Sequence, residues 1–297
     1  MKIIVSFSGG KDSQACLIQA VREFGAQNVE AVFCDTGWEH HLTYEHIEKV
    51  TKQLGVKLTT LRAEIGGFEQ LCKRMKWFPD TQHRMCTVQL KIMPMIDYIL
   101  NQKEDIIIIQ GIRAAESAKR SKLPCSGNYF QEYFEEKRKK SLYRKKDVLA
   151  WCKKYTATVE RPMLGMSAQE IINYILKAGQ EPNELYKRGA SRVGCYPCIF
   201  ARLSEIKVMR HDLAYILRTV KLEEEVNRAR SEGAESSNKA SLFVKGKIPA
   251  RFCKKYGNGV PAFEDIIEYV SKEDLEANLF EEDAETSCMS IYNGLCE

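Results

Sequence analysis

Apolar residues fall along the first third of the chain in two alternating rhythms. Short, almost wholly aliphatic or β-branched runs at residues 2–7, 29–34, 57–61 and 105–110 read as strands. Between them, residues 12–24, 42–54 and 88–101 place apolar side chains at helical spacing. Strands that are apolar on both faces belong to a parallel sheet covered by helices on each side. A fifth strand is predicted at 157–162, followed by a helix that Ser167 caps and that carries Ile171, Ile172, Ile175 and Leu176 inward. The expected architecture is α/β, a Rossmann-like parallel sheet with helices on both faces, spanning residues 1–200. A long helical pattern at 203–230, a Ser/Gly/Asn-rich linker at 231–241 and an acidic stretch at 264–285 predict a mainly helical appendage over 201–297.

Composition changes this picture in two places. Net charge is only +5 over 297 residues, yet segment 117–154 holds 12 Lys or Arg against 4 Asp or Glu, so one inserted stretch carries the basic character. There Tyr129, Phe130, Tyr133, Phe134, Tyr143 and Trp151 interleave with the cations, a pattern that suits salt-dependent contact with nucleic acid and stacking on unpaired bases. An amphipathic helix whose aromatics pack on the core gives the same pattern. The 11 cysteines occur without an export signal, so they are read as reduced thiols, some of them ligands or reactive groups, in a cytoplasmic protein. No apolar run approaches the ~20 residues of a membrane helix, and no membrane partner is expected.

The strongest chemical signal follows the first strand. Ser6, Phe7, Ser8, Gly9, Gly10, Lys11, Asp12 and Ser13 join a strand directly to a helix. Glycines let the backbone approach an anion, and the helix start offers unpaired N–H groups at the positive end of its dipole. Ser8 and Ser13 add hydroxyls and Lys11 a point charge, a set suited to phosphate or pyrophosphate. The spacing is neither the Walker nor the dinucleotide fingerprint.

Ser-Gly-Gly-Lys-Asp-Ser resembles the PP-loop of the adenine nucleotide α-hydrolase superfamily. The match extends in order along the chain: Asp35-Thr36-Gly37, Arg84-Met85-Cys86-Thr87 with Leu90, Lys91 and Pro94, Gly111-Ile112-Arg113 with Glu116 and Ser117, Pro162 to Ser167, Asn183 to Tyr186, Gly189, and Gly194-Cys195-Tyr196-Pro197-Cys198. Together these resemble the phosphoadenosine phosphosulfate (PAPS) reductase family, including adenylyl-sulfate reductases and DNA phosphorothioation sulfurtransferases. The resemblance implies a sheet whose strand ends gather Asp35, Thr36, Gly37, Gly111 and Arg113 around the loop, with Lys91 and Arg113 neutralising phosphate or sulfate.

A Cys-x-x-Cys pair serves a metal, a redox dithiol or half of an iron–sulfur cluster. The resemblance points to a [4Fe-4S] cluster on Cys86, Cys195 and Cys198, with zinc as the alternative metal. Where the reductases carry a Cys-Cys pair this chain has Met85-Cys86, so the fourth ligand is Cys288, Cys296 or Cys125, or is absent. Cys296 is equally a candidate catalytic nucleophile. Cys16, Cys34, Cys72 and Cys152 sit in helical or strand patterns and read as core residues, and His40 and His41 as the exposed start of a helix.

Three functions follow. The resemblance implies an enzyme that cleaves ATP with Mg²⁺, adenylates an acceptor oxygen and lets sulfur from a sulfur donor displace AMP. Lys11 favours it, because adenylyl-sulfate reductases often lack a lysine there. The second is a reductase that takes adenylyl sulfate or PAPS and a thioredoxin-like partner and releases sulfite. The third is a nucleotide-fold protein that binds nucleic acid through 117–154 without catalysis.

Overall fold

A computed structural model describes residues 1–131, 143–232 and 238–280, with side chains to residue 272. Its centre is a six-stranded sheet of order β3-β2-β1-β4-β6-β5. The strands are β1 (Lys2–Ser6), β2 (Val29–Asp35), β3 (Lys57–Arg62), β4 (Ile106–Gln110), β5 (Ser126–Asn128) and β6 (Ala157–Glu160). All neighbours pair in parallel except β5, which runs antiparallel to β6.

Alternation along β1 divides the core. Ile3 and Val5 face one side and pack with Ala15, Leu17 and Ile18 of α1 (Lys11–Phe24), Ile47 and Val50 of α2 (His41–Leu54), and Ile171 and Ile175 of α7 (Ala168–Lys177). Ile4 faces the other side, with Ile96 and Ile99 of α5 (Met93–Leu100) and Val148 and Trp151 of α6 (Lys145–Cys152). Burial on both faces is what permits Ile-Ile-Val and Ile-Ile-Ile-Ile as central parallel strands. The result is a Rossmann-like α/β fold.

Several elements depart from the periodicity. A helix not expected, α3 (Phe68–Met75), follows Gly66-Gly67 and buries Phe68, Leu71 and Cys72. The helix predicted over 88–101 starts earlier, as α4 (Met85–Thr87), and passes through a π-helical stretch, Val88–Ile92, before α5. A four-residue helix, α8 (Glu184–Lys187), is capped by Asn183. The long pattern at 203–230 is two helices, α9 (Leu203–Met209) and α10 (Leu213–Ser231), broken at the polar Arg210-His211-Asp212. The last described helix is α11 (Phe263–Phe280).

A third core cluster packs the C-terminal helices against the segment after β2 and against α3. Trp38, Phe68, Leu71, Phe78 and Leu90 pack with Ile206, Met209, Leu222, Val226, Phe243, Phe263 and Ile266. Phe130 and Trp151 are buried beneath the basic segment, and Tyr129 and Tyr143 pack against the same cluster. These aromatics take the core role that the pattern left open; Tyr133 and Phe134 lie outside the described residues. Among the described residues no helix is long and apolar enough to cross a membrane.

Candidate active site

The chain leaves β1 toward β2 and β3 on one side and returns to β4 on the other, so β1 and β4 flank the switch point of the sheet. Ligand crevices of parallel α/β sheets open at this point, beyond the carboxyl ends of the strands. Both exits are drawn tightly together. A Cβ on Gly111, just past β4, would stand 2.4 Å from the Ser13 backbone nitrogen and 2.6 Å from Asp12 C and Ser13 Cα. Only glycine lets the β4 exit lie against the first turn of α1.

The loop itself is held from within. Gly9 adopts φ +74°, and Ser13 Oγ accepts from Ser8 N at 3.2 Å, stands 3.3 Å from Ser8 Oγ and donates to Gly10 O at 2.9 Å. Gly10 is the N-cap of α1 and brings no side-chain cap, which leaves the start of the helix to partners from elsewhere. Lys11 is buried, and burial first of all, against the pull of Asp12, lowers its pKa. Its ammonium lies 3.8 Å from Asp12 Oδ2 and donates to Ser191 O at 3.3 Å. Arg113 reaches back over the loop, its Nε 2.5 Å from Asp12 Oδ1, while its backbone N–H donates to Glu116. Asp12 therefore bridges the two cations and orients both. Ser6, at the end of β1, is half-buried.

One strand away, Asp35 ends β2. Its carboxylate accepts from Gly37 N at 2.8 Å, Tyr44 OH at 2.8 Å and Arg62 Nε at 2.7 Å. Burial would raise its pKa, but these donors together hold it below the usual range. Asp35 thereby fixes the turn through Thr36 and Gly37. Glu39 closes that turn, accepting from Thr36 N, Thr36 Oγ1 and Trp38 N.

This turn carries the thiols. Cys195 bridges to Glu39 in antiparallel fashion, Tyr196 N donates to Trp38 O at 2.7 Å, and Trp38 Nε1 donates to Pro197 O at 3.0 Å. Cys195 Sγ stands 3.6 Å from Thr36 Oγ1 and 4.0 Å from Glu39 Oε1. Burial pushes the Cys195 thiol up to about 12, with Lys91 pulling the other way. The Lys91 ammonium is held above its ordinary range by Cys195 first and, against burial, by Glu39, Cys34 and Cys198. Cys86 lies within electrostatic reach of Cys198 and Lys91, and its pKa is raised, chiefly by burial. Arg192 Nη2 donates to Cys198 Sγ at 2.9 Å. Lys91, which the resemblance placed in one segment with Cys86, thus belongs to the neighbourhood of the thiols.

Cys86, Cys195 and Cys198 share this face, whereas Cys125 is exposed and Cys288 and Cys296 lie outside the described residues. Among the described residues no three His, Cys, Asp or Glu side chains converge so as to hold one metal ion. Cys16 and Cys72 are core residues as expected, but Cys152 is exposed at the end of α6. His40 corrects another expectation. It starts α2 yet is fully buried, stacked 4.5 Å from the Tyr215 ring, because the C-terminal helices cover it; His41 is exposed.

Two residues of the Asn183 to Tyr186 match contact the loop. Tyr186 sits at the start of α1, its hydroxyl accepting from Lys11 N at 3.1 Å, and Asn183 Nδ2 donates to Gly9 O at 3.4 Å. Both belong to a segment whose resemblance to a known pattern was legible but whose contact with the loop was not.

The family model described as the phosphoadenosine phosphosulfate reductase domain matches residues 2–201. The protein MJ0066 of Methanocaldococcus jannaschii is 27% identical over 82% of this chain and 44% of its own length, so the match spans less than half of that relative. A 37.8 kDa protein of Escherichia phage 186 is 26% identical over 99% of this chain and 96% of its own. Among solved structures, the PAPS reductase of Candida auris in its phosphate complex is 14% identical, covering 66% of this chain and 82% of that one with a TM-score of 0.46. With the family model covering two thirds of its length, this chain belongs to the PAPS reductase domain family.

Proposed function

We propose that the protein is a PP-loop enzyme of nucleotide-dependent sulfur chemistry, taking ATP with Mg²⁺ and transferring sulfur to an acceptor. The observation that carries this reading is Cys195 against Thr36 of the Asp35-Thr36-Gly37 turn, one strand from the loop that bears Lys11, with Cys198 and Cys86 within electrostatic reach of it in turn. Phosphates bind at Ser8, Gly9, Gly10, Lys11 and Ser13, with Ser6, Gly111 and Arg113 framing them and Asp12 orienting the two cations. The backbone N–H groups and Lys11 stabilise charge on departing pyrophosphate, and a bound Mg²⁺ would share that load. An acceptor oxygen displaces pyrophosphate from the α-phosphorus, and a sulfide-level sulfur donor then displaces AMP.

What supports a cluster here is that Cys86, Cys195 and Cys198 lie within electrostatic reach of Lys91 or of one another, and that Arg192 donates to Cys198 Sγ, so cations that could offset thiolate charge stand beside them. A [4Fe-4S] cluster there would supply an iron to which sulfur binds. Cys86, Cys195 and Cys198 are its proposed ligands, with Cys288 or Cys296 available for the fourth position.

Protein purified without oxygen and given ATP, Mg²⁺ and sulfide should release pyrophosphate and AMP when the acceptor is present. If it releases none and instead reduces adenylyl sulfate or PAPS to sulfite with a dithiol reductant, ATP-dependent transfer is rejected in favour of the reductase reading.

A further inference from the structure

The start of α1 is covered by one segment of the chain. Asn183 anchors it to the loop through Gly9 O, and α8 follows at once, placing Tyr186 over Lys11. The phenol is 2% exposed, its hydroxyl accepts the Lys11 backbone N–H at 3.1 Å, and its ring lies 4.7 Å beneath the Lys11 ammonium. The same hydroxyl would stand 3.5 Å from a Cβ on Gly10, as would Val193 O. Further along, Ser191 O accepts from Lys11 Nζ, and Ser191 Oγ is tied to Glu205 of α9 at 2.7 Å.

Each of these contacts uses a group that an anion would use. The first N–H of a helix and an ammonium beside it are the donors that receive phosphoryl oxygens at such a site. Here the N–H is received by a phenol, a neutral acceptor, while the ammonium is received by a peptide carbonyl and paired with Asp12 Oδ2 at 3.8 Å. A neutral acceptor satisfies a buried donor without offsetting its positive charge, so an anion gains more from the same donors. We infer that Tyr186 is an affinity-setting residue of the nucleotide site, its hydroxyl holding the position on the Lys11 N–H that a phosphoryl oxygen takes when it binds. The inference rests on the reading of this loop as the phosphate site.

The consequence is opposite in sign to that of a structural tyrosine. Tyr186→Phe keeps the ring beneath Lys11 and removes the oxygen that the Lys11 N–H donates to. The protein should lose thermal stability when no nucleotide is present, because the Lys11 N–H is left unpaired. ATP and inorganic pyrophosphate should nevertheless bind about two- to tenfold more tightly, the value of one relinquished hydrogen bond. A tyrosine that served only to hold α8 in place would lower stability and affinity together.

Calorimetric titration of wild-type protein and Y186F with ATP and with pyrophosphate, each with Mg²⁺, decides the matter. Tighter binding by Y186F supports the inference, and equal or weaker binding by Y186F overturns it. Absence of binding by the wild-type protein is a different failure, that of the phosphate-loop reading itself. Should Y186F not fold, nitration of Tyr186 in the wild-type chain, followed by mass spectrometry, gives the same decision. Saturating pyrophosphate should change its rate at least twofold as the hydroxyl leaves the Lys11 N–H, and an unchanged rate at saturation refutes displacement.

Discussion

Replacing Gly111 by alanine tests whether the switch point of the sheet is the structural origin of the site. The added methyl would stand 2.4 Å from Ser13 N, about 1 Å inside an ordinary contact of 3.4 Å, and its next neighbours at 2.6 Å are also backbone atoms of Asp12 and Ser13. No side chain is available to swing away, so either the exit of β4 or the first turn of α1 must move. Forced overpacking of this kind costs about 1–3 kcal/mol. At about 2–4 °C per kcal/mol for chains of roughly this size or a little smaller, melting should fall by several degrees. The displacement falls on the turn that carries Asp12 and Ser13, so nucleotide affinity should drop more than stability alone explains. Gly165→Ala is the control, since a Cβ there meets nothing within 4 Å and its φ is unstrained. It should be neutral or slightly stabilising. Melting curves and nucleotide titrations of both variants, run together, provide the measurement. A G111A protein that melts and binds like the parent would refute the claim that β4 and the loop are locked by this contact.

Arg113→Ala should raise the nucleotide Kd by at least tenfold with little loss of stability, because it removes a cation and leaves Asp12 paired with Lys11 alone; an unchanged Kd would remove Arg113 from the site. Serine at Cys86, Cys195 or Cys198 should lower the visible absorption of anaerobically reconstituted protein, while Cys152→Ser should not; equal absorption in all four would reject the proposed ligands. Burial lowers the pKa of His46 to about 4, so the stability it contributes is full above its unfolded value of 6.5 and is lost as pH falls through 4. His46→Gln should flatten the urea midpoint over that window, and an unaltered slope would contradict it. Glu223 carries the opposite sign. Burial raises it to about 7, so its contribution is full below 4.5 and lost as pH rises through 7, on the order of 3 kcal/mol. Glu223→Gln should remove that decline, and a variant that keeps it would show the carboxyl is not its source.

The central strands were legible because burial on both faces leaves a run of Val and Ile that no helix period explains. Element β5 left no such trace, since Ser126, Gly127 and Asn128 hold their place through backbone pairing with β6 alone. Helix α3 was not expected although its apolar residues fall at helical spacing; Gly66 and Gly67, just ahead of it, form the turn that starts it. The reading of Ser8 to Ser13 as an anion site could be made from the sequence because those residues are contiguous. The resemblance grouped Cys86, Cys195 and Cys198, but it gave no sign that Cys195 meets Glu39 and Lys91, which come from distant stretches and reach it only through tertiary packing. Tyr186 is the extreme case, 175 residues from the N–H group it accepts.

The C-terminal helices explain why the site needs more than the sheet. Gly37, in the turn that Asp35 fixes, has φ +64°, and its carbonyl accepts from Arg218 Nη2 of α10 at 2.6 Å. The same guanidinium covers the Trp38 ring at 4.5 Å and reaches Glu69 of α3 with Nε at 2.5 Å. Trp38 in turn holds the Cys195–Cys198 segment by both its carbonyl and its indole N–H. A single arginine from beyond residue 201 therefore braces the turn, the tryptophan and, through it, the thiols. Backbone groups of a tight turn have no side-chain packing of their own to resist displacement, and a guanidinium supplies several donors in a fixed plane. Thiol geometry beside the Asp35–Gly37 turn depends on this brace, which places the determinants of the proposed sulfur chemistry partly in the last third of the chain.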